Sequence, residues 1–420
     1  MKKILTLCLL FIFTPSVTYS VEKFQDYELT QVLILSRHNL RAPIIYADIL
    51  NRATSKPWPI WHTNNGDLTN KGHQLEIYIG SYFRSWFDRM GLLRQDECSD
   101  ANNVYVYANN QQRTIASAQS FISGAFPDCI VKAFYRADMA EGEFDPIFAP
   151  VITDNSIEFK RQAISAMKEK LAHLDLAEAY KQVSTILDFK NSTLCKRDKL
   201  CDLVSYPNKM IISTGKEPLV FGPLGLASNA VDVFDLQYYE GFANKDVAWG
   251  TINTPQQWKT LNKIKNGYHA VAFTTKIVAK NIAKPLLKYI DLHFVQRRKI
   301  EGSKLLIMFG HDSNIASVMS ALDFAPYQLP EQYEKTPIGG KLVFQRWHNK
   351  KTNKDYLKIE YIYPSVNQLR YGTALTLNNP LKQVTLSLKN CPIDGNGLCN
   401  WNDFEKNMQH ALEDEILLIR

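Results

Sequence analysis

Val32-Leu33-Ile34-Leu35-Ser36-Arg37-His38-Asn39-Leu40-Arg41-Ala42-Pro43 runs from a purely apolar segment straight into a heptad that holds two arginines around one histidine. A short apolar run bounded by polar residues reads as a strand buried on both faces. In open α/β sheets the loops leaving the carboxyl ends of strands form the ligand crevice, so the heptad falls where a ligand would sit. Flanking guanidinium groups hold an imidazole neutral by repulsion, and a neutral imidazole is a nucleophile. Taken alone, the heptad is also compatible with a surface turn carrying solvated arginines.

Outward from this point the pattern alternates strand and helix. Asn70 to Phe87 places Leu75, Ile77, Tyr78, Tyr82, Phe83 and Trp86 mainly on one helical face, and Val104 to Ala108 reads as a second buried strand. From about residue 135 the strand signal fades. Ile164, Met167, Leu171 and Leu174, then Tyr180, Val183 and Ile186, recur at helical spacing, and Gly241 is placed to stop a helix over Ser228 to Glu240. Thr254, Pro255 and Gln257 then start a helix with a capping hydroxyl and proline at the first position. Strands are expected at Leu305–Phe309, Lys341–Trp347, Tyr356–Tyr363 and Val384–Leu388. The expected fold is an α/β sandwich, a mixed sheet flanked by helices, discontinuous over residues 21–134 and 251–420. A second, mostly helical domain is inserted at 135–250.

Length and composition agree with two such units. The chain has 420 residues, 45% apolar and 22% charged, which excludes disordered and fibrous classes. Residues 1–20 read as a signal peptide: Lys2 and Lys3 precede an apolar run to Phe13, too short to cross a bilayer, and Thr18 and Ser20 precede the expected mature start at Val21. The mature protein is therefore expected in a bacterial periplasm, without a membrane anchor. Loss of Lys2 and Lys3 lowers the formal charge from +7 to +5, and the remaining basic residues are scattered, which argues against nucleic acid as a partner. Six cysteines remain after Cys8 is removed. The shortest loops pair Cys98 with Cys129, Cys195 with Cys201, and Cys391 with Cys399. No C-x-x-C pair occurs, so no metal is expected.

Two further strand ends carry chemistry. Gly310-His311-Asp312 follows the strand ending at Phe309. His311 can donate to a phosphate oxygen and Asp312 can protonate a departing alkoxide, although an aspartate there can also simply cap the next helix. Arg113 lies just beyond the strand ending at Ala108; a single loop arginine is more often solvated. Together the three strand ends supply three arginines, two histidines and one carboxylic acid. Guanidinium forks suit phosphate oxygens, and a phosphate monoester carries a charge of about −1.5 to −2 near neutral pH. The set needs no cofactor, and no G-x-x-x-x-G-K-[ST] loop is present.

RHNLRAP with HD about 270 residues later resembles the histidine acid phosphatases, whose pattern is RHGxRxP with a distant HD. Tyr107-Ala108-Asn109, Gln112-Arg113-Thr114, Gln237 to Gly241, Val247 to Gly250, Gly310 to Ala316 and Thr336 to Gly340 extend the likeness over nearly the whole mature chain, toward the branch that acts on glucose 1-phosphate. The resemblance implies that His38 is phosphorylated and that Asp312 protonates the leaving group. It also implies that Arg37, Arg41, Arg113 and His311 grip the phosphate and that Glu217 contacts the substrate from the helical domain. Asn39 stands where the family usually has glycine. It tolerates left-handed backbone, and its amide is expected near the pocket, where it would narrow substrate choice. The implied reaction is hydrolysis of a small phosphate monoester, glucose 1-phosphate first. A phytase acting on inositol hexakisphosphate and a binding protein without turnover are the rivals.

Overall fold

The computed structural model describes residues 25–44, 47–94, 98, 103–139, 143–199, 201–296 and 303–413. The expected leader over residues 1–20 and the mature start at Val21 lie outside them. The strands are β1 (Tyr27–Arg37), β2 (Val104–Ala108), β3 (Ala133–Phe134), β4 (Lys209–Ile211), β5 (Leu219–Phe221), β6 (Leu305–Gly310), β7 (Lys341–Asn349), β8 (Lys354–Tyr363), β9 (Lys382–Leu386) and β10 (Cys399–Asn400). The helices are α1 (Ala47–Ala53), α2 (Asn70–Arg89), α3 (Gln112–Ala125), α4 (Ile157–Ala172), α5 (Ala177–Ile186), α6 (Thr193–Asp198), α7 (Pro223–Glu240), α8 (Pro255–Phe273), α9 (Lys276–Ile290), α10 (Asp312–Ala321), α11 (Val366–Tyr371) and α12 (Trp401–Leu412).

The apolar run Val32–Leu35 lies in β1, in the middle of an eight-stranded sheet ordered β10-β8-β7-β1-β6-β2-β3, with β9 added beside β8. β1, β6, β2 and β3 are parallel neighbours, and β7 turns antiparallel on the other side of β1. Leu33 and Leu35 face one apolar layer with α9, α10 and α12, whereas Val32 and Ile34 face another with α2 and α3. Burial on both faces is why this strand shows no alternation of polar and apolar residues.

Helix ends follow the local chemistry. Thr254 and Gln257 cap α8 reciprocally, the Gln257 amide donating to Thr254 Oγ1 at 3.2 Å and the Thr254 amide to Gln257 Oε1 at 3.1 Å. Gly241 ends α7 at φ +98°, a conformation that a side chain resists. α7 begins at Pro223, ahead of the expected Ser228, because Pro223 supplies a helical first residue. Between residues 135 and 250 lie α4 to α7 and a β4–β5 hairpin for which the sequence shows no strand pattern. The apolar core of these helices continues into Trp258, Leu261 and Ile264 of α8 and reaches Leu50 and Ala53 of α1. Disulfides join Cys98 to Cys129, Cys195 to Cys201 and Cys391 to Cys399.

Candidate active site

Three adjacent parallel strands end at the same level. Arg37 is in register with Gly310, and Phe309 with Ala108, so His38, His311 and Asn109 leave the sheet side by side. The His38 amide donates to the Gly310 carbonyl at 3.0 Å, and the Asn109 amide to the Phe309 carbonyl at 2.9 Å. Gly310 has no room for a side chain: a Cβ would stand 2.6 Å from Asn314 Oδ1 and 2.9 Å from Phe148 Cδ1.

His38 Nδ1 lies 2.8 Å from the carbonyl oxygen of Asn39. A carbonyl only accepts, so Nδ1 carries the proton and the Nε2 lone pair is left for chemistry. Burial first, and then Arg113, His311, Arg37 and Arg41, hold His38 well below the ordinary histidine range. The His311 ring stands 5.5 Å away, edge-on. Its Nε2 is 2.7 Å from Asn109 Nδ2. The Asn109 Oδ1 already accepts from the amides of Asn110 and Asp145, so the Asn109 side chain presents its NH2 group to His311. His311 thus accepts at Nε2, and its donor is Nδ1–H.

The three arginines differ in how far they are committed. Arg37 is 1% exposed, donating from Nη1 to Glu334 at 2.8 Å and to the Thr336 carbonyl at 2.7 Å, with Nη2 3.0 Å from Asp312. Arg41 pairs with Asp232 at 2.9 Å. Burial and the neighbouring Arg41 lower Arg113 to about 10, against the pull of Asp312 and Glu217. All three present a buried Nε–H that has no hydrogen-bond partner within the described residues.

Asp312 is the first residue of α10, and the capping position belongs to His311, whose amide donates to Asn314 Oδ1 at 2.9 Å. One Asp312 oxygen accepts from the Ser313 amide at 2.9 Å. The other faces Arg37 at 3.0 Å and His269 at 3.7 Å. Burial pushes its pKa up, but Arg37, His269, His38 and Lys265 together hold it well below the usual carboxylate range. Glu217 keeps solvent access yet lies near enough to feel both Asp312 and Arg113; partial burial and then Asp312 raise it to about 7.

A profile of the histidine phosphatase superfamily, branch 2, matches residues 28–202 and 227–362. The chain belongs to that superfamily. A glucose-1-phosphatase of Providencia rettgeri is 51% identical over 415 residues, covering 98% of this chain and 99% of the relative. A glucose-1-phosphatase of Salmonella typhimurium is 48% identical over 388 residues, 92% of this chain and 93% of its own. Among solved structures, the Hafnia alvei phytase in its apo form superposes with a TM-score of 0.84 at 30% identity, over 93% of this chain and 98% of that one. This histidine phosphatase is accordingly a phosphomonoesterase.

One expectation fails. Asn39 is not at the pocket: it is fully buried, its Nδ2 donates to Glu76 at 2.6 Å, and its Oδ1 accepts from the Leu40 amide at 2.8 Å. It is not among the residues at positive φ either, so left-handed tolerance is not what the position requires. Glu76 takes up the Asn39 amide instead, and its other oxygen pairs with the fully buried Lys341 at 2.7 Å.

Other residues of this histidine phosphatase escape a motif search. Lys265 bridges Asp232 at 2.8 Å, Glu334 at 2.7 Å and Asp235 at 3.3 Å, so a chain of charges runs behind Arg37 and Arg41 into α7 and α8. The available signal was charge inside apolar helices: Asp232 and Asp235 interrupt an apolar run in α7, and Lys265 and His269 stand one turn apart on α8. Glu334 lies just before the Thr336 to Gly340 stretch.

Proposed function

We propose that this histidine phosphatase hydrolyses small sugar phosphates, glucose 1-phosphate foremost, through a phosphohistidine on His38. The observation that carries the reading is the trio of buried Nε–H donors on Arg37, Arg41 and Arg113, unpartnered among the described residues, on arginines close enough to His38 to hold its imidazole neutral. Buried donors without partners are costly, and a tetrahedral oxyanion satisfies all three. His38 Nε2 attacks phosphorus in line while the bond to the ester oxygen breaks. The leaving oxygen takes the electron pair and a proton from Asp312.

Asp312 starts as a carboxylate beside Arg37, so its proton comes from the substrate: a phosphate monoester below about pH 6 still carries one. The arginines, turning to the phosphate, release their hold on Asp312 as they do so. Water then attacks the phosphohistidine, Asp312 takes its proton, and the phosphorus–nitrogen bond breaks to return neutral His38. In this proposal Arg37, Arg41, Arg113 and His311 bind the phosphate, and Glu217 meets the sugar.

The names of the Providencia and Salmonella relatives favour glucose 1-phosphate, whereas the phytase likeness favours inositol hexakisphosphate as a second reading. The deciding measurement is phosphate release from both esters at about pH 5, with a chelator present. The expected result is a kcat/KM at least about tenfold higher for glucose 1-phosphate, abolished in His38→Ala. A higher value for inositol hexakisphosphate would move the enzyme to the second reading, and full activity in His38→Ala would sink the mechanism. We also propose that the chain is exported to the periplasm after loss of residues 1–20. Three disulfides suit an oxidising compartment.

A further inference from the structure

A cavity of about 680 Å³, with His269 in its lining, lies between the end of α4, one face of α8, and α10 with the loop that follows it. Its lining includes none of His38, Arg41, Arg113, His311 or Glu217. The volume is in the range of small-molecule sites, and such sites combine apolar walls with a few convergent polar groups. Leu174, Leu176, Ala316, Met319, Phe324 and Pro326 make the walls apolar.

The charged groups are almost all of one sign. Lys170, Lys263, Lys335 and Lys389 line the cavity against the single carboxylate of Asp175. Lys170 donates to the carbonyl and hydroxyl of Thr274, and Lys335 donates to the carbonyl of Tyr327, so both ammonium groups meet neutral oxygens and keep their charge uncompensated. Lys263 reaches Asp175 only at 3.6 Å and in the open, where such pairs are weak. The Lys389 ammonium has no ion-pair partner among the described residues. His269 also contributes to the lining.

We propose that this cavity is a binding site for an aliphatic monoanion, a medium-chain carboxylate whose head meets the lysines and whose chain lies along the leucine and methionine wall. Charge selects the head, and apolar burial supplies most of the affinity. The site is separate from the phosphate pocket, so a ligand here and a phosphate there bind together.

The test is calorimetric titration of the whole mature enzyme, saturated with inorganic phosphate, using decanoate, decanol and decylammonium as probes. Decanoate is expected to bind one to one, at least about tenfold more tightly than decanol, with no binding of decylammonium. Lys263→Glu combined with Lys389→Glu is expected to weaken decanoate at least about tenfold while p-nitrophenyl phosphate is still hydrolysed. Should that variant fail to fold, Ala270→Phe, which fills the cavity from α8, is expected to remove binding of decanoate and decanol alike. Equal binding of decanol and decanoate, unchanged binding in the variants, or displacement of decanoate by phosphate would overturn the proposal.

Discussion

Arg37 Nη2 stands 3.0 Å from Asp312 Oδ2, so the proposed acid of the reaction is held ionised by a proposed phosphate ligand. The pair makes proton supply a property of the complex with substrate. The kcat/KM for glucose 1-phosphate should therefore fall as pH rises through about 6, where the ester loses its own last proton. A profile that stays level to about pH 8 would contradict the proton route. Asp312→Asn should lower kcat for sugar phosphates by about 10²- to 10⁴-fold, and much less for p-nitrophenyl phosphate, whose leaving group needs no proton. Equal losses on both esters would mean that Asp312 acts by placement alone.

Asn109 fixes which nitrogen of His311 donates. Asn109→Asp keeps an oxygen for the amides of Asn110 and Asp145 but turns the group facing His311 into an acceptor, which pulls the proton to Nε2. The expected cost is about 10- to 100-fold in kcat/KM, that of one hydrogen bond to a charged ligand. The His311 ring resonances in the nuclear magnetic resonance spectrum should report the switched tautomer. An unchanged tautomer together with unchanged kinetics would remove Asn109 from the site.

Asn39→Gly is expected to leave the ratios of kcat/KM across different esters unchanged and to lower stability by about 1–3 kcal/mol in urea titration, because Glu76 and the Leu40 amide each lose a partner. A shift in substrate preference without loss of stability would restore the pocket role that the buried geometry denies.

Glu217 is uncharged below its raised value of about 7 and becomes an anion above it, next to Asp312. KM for an anionic ester should therefore rise between about pH 6 and pH 8, and Glu217→Gln should flatten that rise while changing little at about pH 5. The comparison needs only KM at the two ends of that range.

The Val32–Leu35 run and the residues after it were legible because a strand buried on both faces has few alternatives, and because His38 and His311 each follow such a strand directly, with Arg113 in the first turn of the helix after a third. Helix starts at Thr254 and the stop at Gly241 were legible because caps are local chemistry. The network of Asp232, Asp235, Lys265, His269 and Glu334 was not, since its members come from three distant segments and no short spacing links one segment to another. Asn39 shows the opposite error. Adjacency to His38, the proposed nucleophile, suggested a place in the pocket, but side chains of successive residues leave the backbone in different directions, and its amide donates to buried Glu76.

β6 lies between β1 and β2 in the sheet yet follows β2 by nearly two hundred residues of chain. During synthesis β1 and β2 must therefore wait, with no strand between them, until the last third of the protein emerges. In the proposed mechanism a nascent chain is enzymatically silent for that whole interval, since His311 and Asp312 directly follow β6. Long-range parallel pairing is slow and leaves apolar strand edges open to other chains. Refolding yield is thus expected to fall as protein concentration rises, through capture of β1 and β2 by other chains before β6 reaches them.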